Sequence, residues 1–358
     1  MRLDRLHLRN FRSYDEAELD FAPGLTALVG RNGQGKTNVL EAIGYLATFR
    51  SFRSSSTDVL IRDGQDAAQL RAVGVRRGDR EVLLEAELNR SGRNRVQVNR
   101  QRLSRPREAI GVLRATLFAP DDLAVVKEGP ALRRTLVDDL AAALDPKADA
   151  ALSLYERALR QRNALLKQCG GRLDEAAALT LDVWDDKLAP AGERLMADRA
   201  AVVQRLRPQV AEAYRALAGT DVAVDVRYRP GVPPGSLAAA LAAGRAEDLR
   251  RALTMAGPHR DELELLLRDV PVRTHGSQGE QRSFALALKL GGHRLVSAEV
   301  GEPPLLLLDD VFSELDPQRC DALIANLPPG QTVLTSADRL PPMAVADVVH
   351  HLVDGRFR

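Results

Sequence analysis

The stretch Leu25 to Thr37, "LTALVGRNGQGKT", decides the fold. An apolar run of strand length leads into a glycine-rich loop, and the helical segment "KTNVLEAIGYLATF" follows directly. This spacing of glycine and lysine is that of a P-loop, in which backbone N–H groups face a phosphate. The helix N-terminus adds about half a positive charge at the same place. We therefore predict an α/β domain that binds a nucleotide.

Each residue of the loop has an expected role in this prediction. Lys36 is expected to reach the β- and γ-phosphates, and the Thr37 hydroxyl to bind Mg²⁺. A glycine-rich turn that binds nothing is the alternative, and the strand before the loop and the helix after it disfavour that interpretation. The predicted nucleotide-binding residues are Gly30, Arg31, Asn32, Gly33, Gln34, Gly35, Lys36 and Thr37.

A second motif, "LLLLDDVFSELD", supplies two carboxylates near the C-terminus. Four leucines predict a buried parallel strand that delivers Asp309 to the carboxyl edge of the sheet, where it binds Mg²⁺ together with Thr37. Asp310 is expected to point to the other side and to polarise the attacking water as a general base. An acidic pair that merely starts a loop is the alternative. The catalytic residues are predicted to be Asp310 and Lys36.

The bulk properties indicate a soluble globular chain too long for one ordinary core. It has 358 residues, of which 45% are hydrophobic and 28% charged, and its net charge is only +2. No apolar run approaches the roughly 18 residues that span a bilayer. Cys169 and Cys320 have no CxxC partner, which favours a reducing compartment and a cytoplasmic location.

The pattern along the chain places a helical insertion inside an α/β domain. Short alternating runs between residues 70 and 103 predict antiparallel hairpins, and helical periodicity follows up to about residue 219. Pro190 and Pro208 are expected to kink or break the last of these helices. Strand–helix alternation at both ends predicts one mixed sheet assembled from both termini. The predicted domains are 1–127 and 220–358, the two parts of a head, and 128–219, a helical arm.

A polar loop, "SQGEQ" at residues 277–281, runs straight into an apolar helix. The hydroxyl and N–H groups at such a helix start form a second anion-binding place. Two phosphate-binding helix starts on one chain suggest a nucleotide held between two surfaces.

The order of these motifs resembles that of the ATP-binding-cassette ATPases, with "SQGEQ" as signature, "LLLLDD" as Walker B and "SELD" as D-loop. The "NFRSY" segment near the start and the helical insertion are similar to the SMC-type branch. Four segments resemble the RecF family of bacterial replication and repair proteins, in the same order and over nearly the full chain. They are "NFRSYDEAELDF", "FAPDDLAVVKEGPALRRTLVD", "GPHRDEL" and "SQGEQRSFALALKL".

The resemblance implies an ABC/SMC-type P-loop ATPase head with a mixed sheet, plus an inserted helical arm. It implies that two heads dimerise head-to-tail around two ATP molecules, so that the signature of one chain caps the γ-phosphate on its partner. The trans-signature residues would be Ser277, Gln278, Gly279, Glu280 and Gln281. The D-loop residues Ser313, Glu314, Leu315 and Asp316 would cross the same interface.

Other residues depart from the family pattern or fit it loosely. Arg12 resembles a basic residue that approaches the phosphates, and a solvent-exposed arginine at a strand end is the alternative. Asp310 is shorter than the usual glutamate, so ATP hydrolysis is expected to be weak, and the resemblance implies that DNA stimulates it. The switch histidine is missing, and Thr335, Ser336 or Asp338 stands in for it or the function is lost. No Q-loop glutamine is evident, and "FAPDDL" is the candidate for that role.

An arginine-rich segment is the candidate DNA contact. Residues 93–107 hold six arginines and no acid, which favours contact with phosphates, although a solvated hairpin face is an equal alternative. The resemblance implies double-stranded DNA and junctions of single- and double-stranded DNA, with RecR and possibly RecO as partners, in DNA repair, recombination and the SOS response. Another SMC/ABC-type ATPase, such as an ATP-dependent nuclease subunit, is the alternative. The predicted DNA-binding residues are Arg93, Arg95, Arg100 and Arg102.

Overall fold

The computed structural model describes residues 2–54, 56–76, 78–337, 340, 343–353 and 355–357. It divides into two compact units. Unit 1 contains Met1–Asp122, Arg215–Thr220 and Leu286–Arg358, and unit 2 contains Leu123–Tyr214 and Asp221–Ala285. Unit 1 is therefore assembled from both ends of the chain, as the alternation of strands and helices at the two termini predicts.

Strands predominate in unit 1, and helices predominate in unit 2. The strands are β1 (Arg2–Phe11), β2 (Tyr14–Asp20), β3 (Leu25–Val29), β4 (Ala67–Arg76), β5 (Arg80–Asn89), β6 (Arg95–Val98), β7 (Gln101–Arg102), β8 (Ala115–Phe118), β9 (Val224–Arg229), β10 (Glu262–Leu267), β11 (Val270–Pro271), β12 (Leu305–Asp309), β13 (Thr332–Ser336), β14 (Val348–Val353) and β15 (Arg356–Phe357). The helices are α1 (Lys36–Thr48), α2 (Leu123–Lys127), α3 (Pro130–Leu144), α4 (Pro146–Gln168), α5 (Glu175–Ala218), α6 (Leu237–Arg251), α7 (Val272–His275), α8 (Gln278–Val300) and α9 (Pro317–Ala325).

A mainly parallel sheet of unit 1 carries the two predicted phosphate-site motifs. Its strand order is β15-β14-β3-β13-β12-β8, and only β15 runs antiparallel to its neighbour. Strands buried on both faces are continuous apolar runs, and β12 is buried at every position. The prediction of a mixed sheet built from both termini is confirmed.

A second sheet of unit 1 is antiparallel, with the order β2-β1-β4-β5-β6-β7. The hairpins predicted between residues 70 and 103 are confirmed as β4 to β7. Its buried face shares one core with α1 and with the parallel sheet, and this core includes Leu6, Ile43, Leu84 and Leu307. Each such buried side chain stabilises the fold by about 1.5–3 kcal/mol. Helix α1, which follows the P-loop, is therefore held by packing against both sheets.

Unit 2 consists of the helices from α2 to α7 without the last turn of α5, the first turns of α8 and the sheet β11-β10-β9. From the sequence, Pro190 and Pro208 are expected to kink or break the last helix. The 44-residue helix α5 continues through both prolines, so they do not break it. A proline removes one backbone donor, but the neighbouring Leu188, Leu195 and Met196 are buried and hold the helix in place.

The segment 221–285 packs with the helices of unit 2. Arg133 of α3 pairs with Glu262 of β10 at 2.8 Å, and Leu237 and Leu241 of α6 belong to the core of α4 and α5. The sequence assigns the same segment to the head because strand character returns near residue 221. The division by packing therefore differs from the predicted segments 1–127, 128–219 and 220–358, which stay a proposal about head and arm.

Candidate nucleotide site

The P-loop occupies the turn between β3 and α1. Gly33 and Gly35 have φ angles of 82° and 114°, in the left-handed region that glycine adopts without strain. Gly35 is the N-cap of α1, so Lys36 and Thr37 stand in the first helical turn. The N–H groups at a helix start have no intrahelical acceptor, which makes them donors for an anion.

The Lys36 ammonium turns back onto the loop. Its Nζ donates to the carbonyl oxygens of Gly30 at 2.5 Å and Arg31 at 3.1 Å. Burial lowers the pKa of Lys36, and the nearby charges of Asp310 and Asp309 oppose that shift. Charged oxygens are stronger acceptors than neutral carbonyls, so a phosphate that enters the loop can replace these partners.

Strand β12 delivers Asp309 to the sheet edge where the P-loop lies. Only β13 separates β3 from β12, and the three strands are parallel, so their carboxyl ends meet. Thr37 Oγ1 donates to Asp309 Oδ1 at 2.9 Å. A hydroxyl and a carboxylate are the hard oxygen ligands that Mg²⁺ prefers. This donor set fits the ion, and Thr37 and Asp309 are the residues that would hold it.

Asp309 is a nearly buried acid with two hydroxyl donors. Burial raises its pKa, while the hydrogen bonds from Thr335 and Thr37 act in the opposite direction. The folded chain favours the protonated form of Asp309. The contribution of Asp309 to the free energy of unfolding is therefore fully present below the ordinary pKa of aspartate. It is lost as the pH rises through the raised pKa. Above that raised pKa, the ionised Asp309 therefore destabilises the fold of the nucleotide-free chain.

We expect Asp309→Asn to raise the Tm of the nucleotide-free chain at pH 8 by about 2 °C or more. The amide removes the buried charge and keeps an oxygen that accepts from both threonines. The advantage should shrink at pH 4.5, where the wild-type acid is closer to neutral. Thermal melts at the two pH values measure this, with the exposed Asp63→Asn as control. A lower Tm, or a gain that is the same at both pH values, contradicts the expectation.

Thr335 of β13 forms hydrogen bonds with both acids, Asp309 and Asp310, at the end of β12. Its Oγ1 donates to Asp309 Oδ1 and accepts from the Asp310 N–H, both at 2.9 Å. Asp310 has a φ of 47° and turns the chain sharply after β12. Burial lowers the pKa of Lys36, and the charge of Asp310 partly opposes that shift. The two predicted catalytic residues, Asp310 and Lys36, follow β12 and the P-loop at the same edge of the parallel sheet.

The structure limits which residue could replace the missing switch histidine. Thr335 is 1% exposed, and its hydroxyl is committed to the two acids. The Ser336 carbonyl accepts from the Gly30 N–H at 3.2 Å and so anchors the start of the P-loop. Asp338 lies outside the residues that the structure describes. The sequence did not predict that Thr335 bonds to the two acids or that Ser336 holds the start of the P-loop. No local sequence pattern indicates these hydrogen bonds.

The candidate Q-loop segment "FAPDDL" follows β8, which lies beside β12 in the parallel sheet. Asp122 accepts from the Ala119 N–H at 2.8 Å and pairs with Lys289 at 2.7 Å. Lys289 also donates to the carbonyl of Leu117 at 3.1 Å. The segment thus starts at the sheet edge where the nucleotide site lies. Its second aspartate, Asp122, is already paired with Lys289.

The "NFRSY" turn, residues 10–14, packs onto α1. Arg12 donates twice to Glu41, at 2.8 and 2.7 Å, and the Glu41 carboxylate is fully buried. The Ser51 hydroxyl donates to the same carboxylate at 2.6 Å, and Arg53 lies 3.6 Å away. The sequence suggested either a phosphate contact or solvent exposure for Arg12, and it did not predict the ion pair with Glu41. The available signal was a lone acid in the apolar helix segment "VLEAIGYLA".

The predicted signature, residues 277–281, opens helix α8 in unit 2. Ser277 and Gln278 are exposed, and Gly279 is half-buried. Glu280 accepts from the Ser277 N–H at 2.8 Å, and the Ser277 hydroxyl accepts from the Glu280 N–H at 3.3 Å, which is a capping box. Buried Gln281 donates to the Gly276 carbonyl at 3.0 Å. The first three residues present groups to a ligand or partner, and the last two hold the turn.

The predicted D-loop, Ser313 to Asp316, follows β12 in unit 1. The Ser313 hydroxyl donates to the Asp310 carbonyl at 2.8 Å. Asp316 accepts from the Arg319 N–H at 3.0 Å, which caps α9 and holds the Asp316 pKa below its usual value. The Glu314 side chain is outside the described part of the chain. Aspartate before proline is a helix-start signal that sequence reasoning did not use.

The four candidate DNA-binding arginines are exposed in or beside β6 and β7 of unit 1. Arg95 pairs with Glu87 of β5 at 3.3 Å. An acid therefore neutralises part of this segment, as the alternative interpretation of a solvated face requires. The exposed surface is compatible with phosphate contacts and with that alternative. The residues are Arg93, Arg95, Arg100 and Arg102.

Relatives of known family share this sequence over nearly its whole length. The RecF/RecN/SMC N-terminal domain family matches residues 2–333. The chain is 44% identical to the DNA replication and repair protein RecF of Streptomyces avermitilis over 352 residues, which cover 94% of this chain and 93% of that protein. It is also 44% identical to RecF of Frankia alni over 377 residues, which cover 100% of this chain and 97% of that protein.

Solved structures share the fold. The recombination mediator protein RecF-ATP of the RecFOR pathway matches with a TM-score of 0.92 at 29% identity, and the match covers 100% of this chain and 97% of that one. An Smc head bound to the C-winged helix domain of ScpA matches with a TM-score of 0.59 at 18% identity, over 100% and 96% of the two chains. No helix in the described ranges is long and apolar enough to cross a membrane. The predicted SMC-type head fold is confirmed, and the chain belongs to the RecF family of DNA replication and repair proteins.

Proposed function

We propose that this chain is an ATP-dependent DNA-binding protein of recombination and repair. It dimerises on ATP, binds duplex DNA at single-strand gaps and helps to load a recombinase. The observation that carries the proposal is the hydrogen bond of 2.9 Å between Thr37 and Asp309, because it joins the P-loop to the acidic strand at one sheet edge. Sequence relatives named RecF and a similar structure named RecF-ATP support it.

The proposed ATP site uses the groups at this edge. The backbone N–H groups of the loop and the Lys36 ammonium bind the β- and γ-phosphates, and Thr37 and Asp309 hold Mg²⁺, which neutralises phosphate charge when bound. Asp310 accepts the proton of the attacking water. Its short side chain reaches less far than a glutamate, which supports weak ATP hydrolysis. Stimulation by DNA is proposed from the likeness to the RecF relatives.

The proposed dimer places the exposed Ser277 and Gln278 and the half-buried Gly279 of one chain on the γ-phosphate of the other. A serine hydroxyl and backbone donors add hydrogen bonds without the bulk of a cationic side chain. Glu280 stabilises this helix start through the capping box with Ser277, and Gln281 stabilises it through its buried side-chain amide. The D-loop, residues 313–316, crosses the same interface. Mixing two inactive variants, one changed in the P-loop and one in the signature, tests this arrangement, because one intact composite site should form and hydrolyse ATP.

The proposed partners follow from the relatives. RecR and, in addition, RecO are candidate partners because a similar structure is named for the RecFOR pathway. An ATP-dependent nuclease subunit is the alternative function. A nuclease needs an acidic metal cluster. Among the residues that the structure describes, no group of three or more His, Cys, Asp or Glu side chains could bind a metal. No structural observation therefore favours the alternative.

We expect reversal of the arginines at 93, 95, 100 and 102 to glutamate to weaken binding of gapped duplex. The steepness of the plot of log affinity against log salt should fall by about 0.9 for each DNA phosphate that the variant no longer neutralises. Fluorescence anisotropy from 50 to 200 mM salt measures both effects. The four-lysine variant is the matched control, because it keeps the charges and should keep the slope. An unchanged slope in the glutamate variant places the DNA-binding surface elsewhere.

A further inference from the structure

The peptide group between Gly35 and Lys36 stands where the P-loop becomes helix α1. In a trans peptide the carbonyl and the N–H point in opposite directions. The Gly35 carbonyl accepts from the Asn38 N–H at 2.9 Å and from the Tyr14 hydroxyl at 3.0 Å. Because both donors hold the carbonyl on the helix side, the Lys36 N–H is turned toward the loop.

Tyr14 reaches this carbonyl from a buried and well-fixed position. The residue is 1% exposed, and its ring stacks on Phe357 with 5.7 Å between the centroids. A Cβ atom placed on Gly35 would lie 3.0 Å from the Tyr14 hydroxyl oxygen and 2.9 Å from the Ser13 hydroxyl oxygen. The turn therefore contacts the P-loop directly, and no third element separates them.

The neighbours of Tyr14 fasten the same turn to α1. The Ser13 hydroxyl accepts from the Asn38 side-chain amide at 2.9 Å. Arg12 makes its two hydrogen bonds to the buried Glu41, which lies one and a half turns into the helix. We call Arg12, Ser13 and Tyr14 the brace. Three consecutive side chains thus contact the first two turns of α1 or the loop before it.

We infer that Tyr14 is a positioning residue for the nucleotide. Its hydroxyl fixes the orientation of the peptide between Gly35 and Lys36, so that the Lys36 N–H is aimed at a phosphate before the nucleotide arrives. Arg12 and Ser13 keep the brace on α1. This inference rests on the proposed ATP site and adds a buried residue outside the P-loop that sets its affinity. Preorganised donors bind more tightly because less ordering is needed on binding.

The test compares Tyr14→Phe with Tyr45→Phe. Tyr14→Phe keeps the ring against Phe357 and removes only the donor to Gly35. We expect ATP affinity to fall about three- to tenfold, which is the effect of one ordinary hydrogen bond. Tyr45 is the matched control because it is a buried tyrosine, 2% exposed, in the same helix α1. It lies about two and a half helical turns beyond Lys36 and so away from the P-loop. Isothermal titration gives ATP affinity, and thermal melts without nucleotide give stability.

The outcomes separate positioning from general stability. Weaker ATP binding by Tyr14→Phe, with Tyr45→Phe unchanged at a similar loss of Tm, supports the inference. Unchanged binding by Tyr14→Phe, or an equal loss in both variants, overturns it. Ser13→Ala is the second variant, and we expect a smaller loss of ATP affinity in the same direction. If the wild-type chain itself fails to bind ATP, the proposed function fails, and that result differs from an unaffected Tyr14→Phe variant.

Discussion

Ser277→Arg is expected to weaken ATP-dependent dimerisation by about 30- to 1,000-fold, the effect of disrupting a central interface residue. ATP binding to the single chain should remain nearly unchanged. The serine is exposed at the start of α8, where a long cationic side chain would fill the space that the proposal gives to the partner's γ-phosphate. Sedimentation velocity with a non-hydrolysable ATP analogue and Mg²⁺ measures the dimer, and isothermal titration measures nucleotide affinity.

Two control variants separate the interface effect from folding. Ser277→Ala removes the hydroxyl that accepts from the Glu280 N–H, at a cost of about 1 kcal/mol in stability, without adding bulk. Ala298→Arg adds the same side chain at an exposed position near the other end of α8 and should dimerise normally. If Ser277→Arg abolishes nucleotide binding as thoroughly as a change of Lys36, the signature does not act in trans.

Asp310→Asn is expected to lower the rate of ATP hydrolysis by about 100-fold or more, which is the effect of removing a general base. The amide cannot take the proton of the attacking water, and it suits the left-handed backbone at this position because asparagine, like aspartate, tolerates a φ of 47°. Nucleotide affinity should stay close to that of the wild type. Phosphate release gives the rate, and hydrolysis within a few-fold of the wild type contradicts the assigned role.

Asp310→Glu is the companion of that variant. A longer carboxylate reaches closer to the attacking water, so the rate should equal or exceed the wild-type rate if side-chain length limits hydrolysis. The backbone opposes the gain, because glutamate tolerates a positive φ less well than aspartate does. A faster enzyme with a lower Tm would show that backbone geometry and catalytic reach compete at this position.

Local patterns in the sequence were enough to predict the phosphate site. Strand, loop and helix lie within Leu25 to Thr48, so no distant contact is needed to recognise them. The apolar run before Asp309 likewise identifies its own strand. Parallel strands then bring the two motifs to one edge of the sheet, which the alternation of strands and helices predicts.

Contacts between distant residues could not be predicted from such patterns. Arg12 and Glu41 lie on separate elements, and neither residue specifies its partner by spacing. Thr335 resembles any strand threonine until its hydroxyl is seen between the two acids. The grouping of residues 221–285 with the helices depends on packing across unit 2, such as the pair of Arg133 and Glu262.

The central claim is that ATP joins two copies of this chain, and the molar mass in solution tests it most directly. Sedimentation equilibrium should be run with a non-hydrolysable ATP analogue and Mg²⁺, without DNA and with gapped duplex. The account predicts a monomer without nucleotide and twice the 39.1 kDa chain mass with it. A chain that binds the nucleotide and still sediments as a monomer, with DNA as well as without it, contradicts the account.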